Sequence, residues 1–158
     1  AITTASNEVC IGDENISAAN IQVDWTIASD ERDKTDFTAL DLGLSFVNSL
    51  APLTYKWDKR SKYGDKTADG YDLNAQTPDG THKEDWLDIG FKAQAVNALE
   101  EAAGYKIADK KNLTVNLTGD GKQYGLQYSK FIPILVKALQ EADDKIDALT
   151  TRIEALEG

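Results

Sequence analysis

The clearest hydrophobic pattern in the chain lies at its C-terminal end. Apolar residues there are spaced alternately three and four positions apart, which is the heptad pattern of a coiled coil. They form the a positions Ile132, Leu139, Ile146 and Ile153 and the d positions Leu135, Ala142, Leu149 and Leu156. We therefore predict a self-associating helix over residues 129–158. Ile at a with Leu at d is typical of two-stranded coils, so the pattern indicates an oligomer without fixing the number of chains.

The alternative for this segment is an amphipathic helix that packs on its own domain. The narrow a/d stripe, however, continues well beyond the last residue that resembles a globular domain. This length favours association between chains.

Period-2 alternation predicts β structure at the other end of the chain. We expect strands over residues 8–11 and 21–28, with a turn at 12–15 between them. In the second strand, Ile21, Val23, Trp25 and Ile27 would share one face. Two short strands bury little surface alone, so this piece must pack on the rest of the chain or on copies of itself.

The middle of the chain mixes both periods and predicts an α+β fold. We expect helices and strands in the order helix 42–50, strand 53–57, a strand ending at 90–91, helix 93–102, and hairpin strands 113–117 and 123–128. Pro52 ends the first helix, Gly104 the second, and Asp120-Gly121 forms the hairpin turn. Residues 58–85 are polar and predict a long surface insertion.

Composition narrows the classes of function. The net charge is −10 and the pI is near 4.5, which argues against nucleic acid and anionic membrane surfaces as partners. No apolar run is long enough to span a membrane, and residues 1–7 lack the features of a signal peptide. The start of the chain reads as a cut from something longer.

We predict no cofactor and no metal site. The single cysteine, Cys10, is expected to be a small buried apolar residue, and the single histidine, His82, a solvated loop residue. The acids in the insertion lack the spacing of an EF-hand.

Four stretches, in this order, resemble one family. They are SDERDK at 29–34, GLSFVNSLAPLTYKW at 43–57, IGFKAQAV at 89–96 and YSKFIPILVKALQE at 128–141. Together with the heptad tail they resemble the intramolecular chaperone of phage tail spikes and fibres, the peptidase S74 domain.

The resemblance implies a domain plan and a function. Residues 1–28 would be the end of a β-structured fibre shaft, 29–128 the globular chaperone domain, and 129–158 a helix in a trimeric coiled coil. The domain would trimerise the chain, assist folding of the upstream shaft, and release itself by autoproteolysis as a single-turnover serine peptidase. Its partners would be two copies of itself and its own shaft. Its location would be a virion tail fibre or spike, assembled in the host cytoplasm.

The resemblance also implies a site at Ser29. Ser29 would be the nucleophile, with Lys34 or Asp33 as the base, and cleavage would fall before Ser29 or between Ser29 and Asp30. Acids around Lys34 favour its protonated form, which is a poor base. Either trimer burial would neutralise it, or Asp33 would act instead, or the site would be slow. The alternative role for Ser29 is a helix N-cap, because acids follow it.

Two other functions compete with the self-cleaving chaperone. One is a non-cleaving trimeric fibre tip that stays attached and contacts host-surface glycans. Its sugar-stacking residues would be the aromatic side chains Tyr55, Trp57, Tyr63, Tyr71 and Trp86. The other is a purely structural coiled-coil module with an inactive site.

Overall fold

The computed structural model describes residue 11, residues 15–16 and residues 18–158. The described residues form an α+β fold with three α-helices and two small antiparallel sheets, as the sequence predicts. The helices are α1 (Leu44–Ser49), α2 (Ala93–Ala102) and α3 (Phe131–Glu157); the strands are β1 (Leu53–Tyr55), β2 (Asp88–Gly90), β3 (Val115–Leu117) and β4 (Tyr124–Leu126). The predicted elements therefore agree with the observed ones in type and order from residue 42 onward.

The chain divides into two compact units. The first contains the residues up to Phe37 together with Lys56–Trp86, and the second contains Thr38–Tyr55 and Leu87–Gly158. All three α-helices and all four strands belong to the second unit.

The hydrophobic core of the second unit joins its helices to one hairpin. It consists of the buried side chains of Leu42, Phe46, Val96, Val115, Phe131 and Ile134. Each helix contributes the apolar positions of one face, which is how a short amphipathic helix gains most of its stability.

Two antiparallel pairs complete the second unit. β1 pairs with β2 with Leu53 opposite Gly90, and β3 pairs with β4 with Val115 opposite Leu126. Gly90 has no room for a side chain, because a Cβ there would collide with the Tyr128 hydroxyl. The Tyr128 hydroxyl in turn accepts a hydrogen bond from the Phe91 amide at 3.3 Å.

A buried carboxylate fastens α2 to the hairpin. Glu100 is fully buried and accepts hydrogen bonds from the Leu113 amide at 3.0 Å, the Thr114 amide at 2.7 Å and the Thr114 hydroxyl at 2.5 Å. A carboxylate removed from water needs such donors, because leaving it unpaired is strongly destabilising.

The polar insertion of the first unit has its own hydrogen-bonded framework. Asp58 accepts from the Tyr63 hydroxyl at 2.6 Å and from the Gly80 amide at 2.9 Å. The same hydroxyl accepts from the amides of Asp79 and His82. The burial of Tyr63 raises its pKa above the usual value, and the hydrogen bond to Asp58 acts in the same direction. The insertion is therefore a surface loop held in place by its own hydrogen bonds. Within it, the His82 ring packs edge-on against the Tyr63 ring.

The strand predicted over residues 21–28 is wrong for the single chain. The described structure has no strand there, and Ile21, Val23, Trp25 and Ile27 are exposed, with Trp25 at 68%. A strand requires a hydrogen-bonding partner, and the described part of the chain offers these residues none. Residues 8–10 of the strand predicted over 8–11, residues 12–14 of the predicted turn, and the predicted burial of Cys10 lie outside the described residues.

Candidate functional site

The segment that begins at Ser29 folds back on itself through one turn of 3₁₀ helix. This turn spans Glu31–Asp33, and Asp30 is its N-cap, with its carboxylate accepting from the Arg32 amide at 2.9 Å. The amide of Lys34 donates to the Glu31 carbonyl and closes the turn at 3.2 Å. The reversal returns the side chain of residue 34 to residue 29.

Lys34 and Ser29 are in direct contact. The Lys34 Nζ lies 2.6 Å from the Ser29 Oγ and 3.3 Å from the Ser29 carbonyl oxygen. The Nζ donates to both oxygens, and both residues are exposed to solvent. The structure therefore brings Ser29 together with Lys34, one of the two residues that the resemblance implies as a base.

Asp30 is engaged with Arg32. Its carboxylate accepts from the Arg32 guanidinium at 2.6 and 3.0 Å as well as from the backbone. These hydrogen bonds lower the pKa of Asp30 and raise that of Arg32. Asp30 is thus an acceptor that shapes the turn, and its charge is already paired.

The other roles predicted for this segment have different outcomes. The N-cap prediction for Ser29 is wrong, because the helix begins one residue later and Asp30 caps it. Asp33 lies within the turn, and among the described residues it is Lys34, not Asp33, whose side chain hydrogen bonds to Ser29. A contact between residues five apart depends on the reversal, so the sequence alone did not distinguish Lys34 from Asp33.

The second candidate site is the a/d stripe of α3. Its side chains lie on the surface of the described chain, with Ile132 at 62% and Leu139 at 72% exposure. The exposed members of the stripe are Ile132, Leu135, Leu139, Ile146, Leu149, Ile153 and Leu156. Contiguous apolar surface of this kind marks an interaction site.

A different face of the same helix holds it to its own domain. Phe131, Ile134 and Ala138 are buried, and they occupy the c and g positions of the heptads. The alternative of a helix packed on its own domain is therefore realised by this inner face, while the a/d stripe points away from it.

A carboxylate clamp, which sequence reasoning missed, strengthens that attachment. The Glu141 Oε2 accepts from the Leu44 amide at the start of α1 at 2.8 Å. This hydrogen bond, followed by nearby lysine charges, lowers the pKa of Glu141. A Cβ at Gly43 would overlap the Glu141 carboxylate, so a larger residue there would displace this carboxylate. A glycine before a helix and an acid almost a hundred residues later form no local signal.

The aromatic residues suggested for glycan binding are partly used within the protein. The Tyr63 hydroxyl is held by the insertion, the Tyr71 hydroxyl donates to the Tyr63 carbonyl at 3.4 Å, and the Tyr55 hydroxyl donates to Asp88 at 3.3 Å. These contacts favour a structural role for the tyrosines. Trp57 and Trp86 retain 40% and 51% exposure.

The described residues contain no cluster of three or more His, Cys, Asp or Glu side chains placed to hold a metal ion. Within the same part of the chain, every helix is too short or too polar to cross a bilayer.

The fold and sites define a class of protein. The chain has a serine–lysine pair at residues 29 and 34, a small α+β fold, and a long helix whose heptad stripe is exposed. Comparison with protein families matches residues 29–105, just under half of the chain, to the Peptidase_S74 family, described as the chaperone of endosialidase. The match begins at Ser29. No curated protein and no solved structure showed significant similarity to the chain.

The match to this family supports an intramolecular chaperone role in a phage tail context. It confirms the resemblance over residues 29–105, which contain the first three of the four sequence stretches.

Proposed function

We propose that this chain is the C-terminal part of a phage tail fibre or spike protein, and that it trimerises through α3 and assists the folding of the shaft upstream. Residues 1–28 would end the shaft, 29–128 form the chaperone domain and 129–158 the coiled coil. The observation that carries this proposal is the exposed a/d stripe, which runs along the whole of α3. Its location would be the virion tail, after assembly in the host cytoplasm.

Trimerisation would solve a physical problem for the shaft. Three β chains must lose association and loop-closure entropy before their contacts form, so unaided assembly is slow. A module that trimerises first raises the effective concentration of the linked segments. The exposed alternating side chains of residues 21–28, which lack a strand partner in the described single chain, are consistent with strands that form between chains.

We further propose that Ser29 cleaves the chain after assembly, with Lys34 as the base. The Ser29 Oγ attacks the Ala28 carbonyl carbon through a five-membered ring, while neutral Lys34 Nζ takes the hydroxyl proton. Lys34 then returns the proton to the departing Ser29 nitrogen, and the chain is held by an ester. Water hydrolyses the ester to the Ala28 carboxylate and the free Ser29 hydroxyl.

The geometry supports Lys34 over Asp33 in this role. Only the lysine has its side chain within hydrogen-bond distance of the Ser29 Oγ among the described residues. Attack on the adjacent Ser29–Asp30 bond would need a strained four-membered ring, which favours the cut before Ser29.

Solvent exposure gives the proposed reaction its timing. Ser29 and Lys34 are both exposed in the single chain. Neighbouring chains of the proposed trimer would cover the pair and exclude bulk water from it, so cleavage would follow trimerisation. The finished shaft would then keep its unfolding barrier without the chaperone.

A denaturing gel with intact mass measurement tests the cleavage. The wild-type chain should give a fragment that begins at Ser29, and Ser29→Ala should give only the full-length chain. Lys34→Ala should slow cleavage by about 100-fold or more, the usual loss of a general base. The matched control Asp33→Asn should cleave normally, because its carboxylate does not contact Ser29.

Other outcomes would redirect the proposal. Two fragments from Ser29→Ala would exclude Ser29 as the nucleophile, and loss of cleavage in Asp33→Asn alone would make Asp33 the base. Sedimentation of the uncleaved Ser29→Ala chain should give three chains. A trimer that stays intact with Ser29 and Lys34 present would favour the non-cleaving fibre tip.

A further inference from the structure

The two edges beside the a/d stripe of α3 differ in character. In a parallel coiled coil the g edge of one helix faces the e edge of its neighbour. In the second half of α3 the g edge carries Lys145 and Arg152, and the e edge carries Asp143 and Glu157. These edges are complementary in charge when the helices are parallel. In the parallel trimer proposed above, a neighbour lies on each side of the stripe, and the two sides differ in charge.

The first half of α3 has an apolar surface on its g side. Phe131, at g, is buried and stacks on Phe91 with ring centroids 5.4 Å apart. Beside this stack the structure has an open cavity of about 680 Å³, lined by Pro52, Leu53, Thr54, Ile89, Gly90, Phe91 and Tyr128. We call it the g-side cavity.

The g-side cavity is continuous with the heptad stripe. Tyr128 lies four residues before Ile132, so it continues the stripe as a d position ahead of the helix. Its side chain is half exposed at the cavity wall. Ile89, on the outer side of β2, is 75% exposed. The apolar surface thus extends from the helix across the β1–β2 sheet.

The e side of the same half carries an apolar ridge. Val136, at e, is 51% exposed and lies beside Ile132. Together with Leu40 they border a groove whose other lining residues are Ala39, Pro133, Lys137 and Gln140. We call Leu40, Ile132 and Val136 the e-side ridge.

We propose that the e-side ridge of one chain packs into the g-side cavity of a second copy of the same chain. The inference rests on the parallel trimer proposed above. In that arrangement the g edge at Phe131 faces the neighbour's e edge at Val136. Because Phe131 is already covered by Phe91 and Tyr128, Val136 of the neighbour meets the g-side cavity that these two residues line together with Ile89. In the first half of α3, apolar g and e edges of neighbouring chains would thus face each other, as the oppositely charged edges would in the second half.

Such a contact joins two different surfaces of the same chain. A heterologous contact of this kind closes into a ring when the rotation between copies fits, and it otherwise continues as an open filament. The coiled coil supplies the closing rotation. The ridge and cavity would extend the interface from the helix to the globular domains and fix the angle at which each domain sits on the bundle.

Cysteine crosslinking in the full chain tests the pairing. Cys10, the only cysteine, is first replaced by serine. The double variant Val136→Cys/Ile89→Cys is treated with a short bismaleimide and resolved on a denaturing gel. Covalent dimers and trimers are expected from the double variant, and only monomers from either single variant, because equal residues do not face each other in a heterologous contact. Both positions follow Ser29, so cleavage does not affect the readout.

A matched control uses Val136→Cys with Lys110→Cys, since Lys110 is exposed and belongs to neither surface. It should not crosslink between chains. Sedimentation separates the two proposals. A trimer in which the double variant fails to crosslink, or in which a single variant crosslinks to itself, overturns the ridge-and-cavity contact alone. A well-folded monomer overturns both this contact and the proposed function.

Discussion

The two halves of α3 are used differently. Residues 131–142 bury Phe131, Ile134 and Ala138 against their own domain while presenting Ile132, Leu135 and Leu139 outward. Residues 143–157 are exposed on every side in the single chain. The first half thus has two apolar faces, and the second has one. A helix that served only its own domain would need the inner face alone, so the outer face supports the association between chains proposed above.

The two halves of α3 therefore depend on different interactions for their stability. The first half is stabilised by tertiary packing, which holds helices in globular proteins. The second half resembles an isolated helix of about 15 residues, which is marginal in water without partners. Its helical structure should therefore depend on association, and hence on protein concentration.

Substitution in the second half should have the largest effect. Ile146→Asp places a charge in the a/d stripe, where neighbouring helices would bury it unpaired. We expect a monomer by sedimentation, and a drop in far-UV circular dichroism that corresponds to the second half of α3. The control Asp144→Ala, at an f position, should remain oligomeric. An Ile146→Asp chain that keeps its oligomeric state would mean that the stripe is not the interface.

Substitution on the inner face of α3 should lower the free energy of unfolding more than it weakens association. Ile134 is 2% exposed, and Ile134→Ala should lower the free energy of unfolding by about 2–5 kcal/mol through the lost contacts and the cavity left behind. Urea unfolding at fixed protein concentration measures this change. Ile132→Ala, its neighbour on the outer face, should mainly weaken association. To separate folding from association, both substitutions are also made in the Ile146→Asp variant, which is expected to be monomeric. Equal losses in its free energy of unfolding would mean that the two faces of α3 do not differ in this way.

A smaller, pH-dependent change in stability should come from the hydrogen bond between the Leu44 amide and the Glu141 carboxylate in the first half of α3. Because its pKa is lowered below the usual value near 4.5 in the folded chain, ionised Glu141 stabilises the fold above that pH. This contribution is lost as the pH falls through the lower folded-state value. Glu141→Gln should therefore be less stable than wild type at pH 7 and match it in acid. Thermal unfolding across pH, with Glu154→Gln in the second half as control, checks this; a constant difference would exclude the charge as its cause.

Local sequence signals were sufficient for most of the fold. Helix 93–102 was predicted to the residue, because a strong apolar period and Gly104 mark it. Strands 113–117 and 123–128 were shorter in the structure but correctly paired across Asp120-Gly121. Residues 21–28 failed because alternation describes which face a strand would bury and says nothing of whether a partner is present in the same chain.

The candidate site was only partly predictable. The resemblance pointed to Ser29 and Lys34, but their contact arises from a turn that Asp30 and Arg32 stabilise together. The Asp58–Tyr63 framework and the Gly43–Glu141 clamp were not predicted, because both depend on residues distant in sequence. Hydrophobic faces can be predicted because apolar residues recur at regular spacings, whereas polar contacts between distant residues have no such spacing.

The second half of α3 touches nothing in its own chain that its sequence must suit. From Asp143 onward no side chain in the described structure is buried, so in the proposed coiled coil this segment would act only through its contacts with neighbouring chains. Any parallel three-stranded heptad sequence grafted after Ala142 in the same register should serve equally well. Residues 131–142, which have two apolar faces, permit no such exchange. Substitutions tolerated during evolution should therefore concentrate after Ala142.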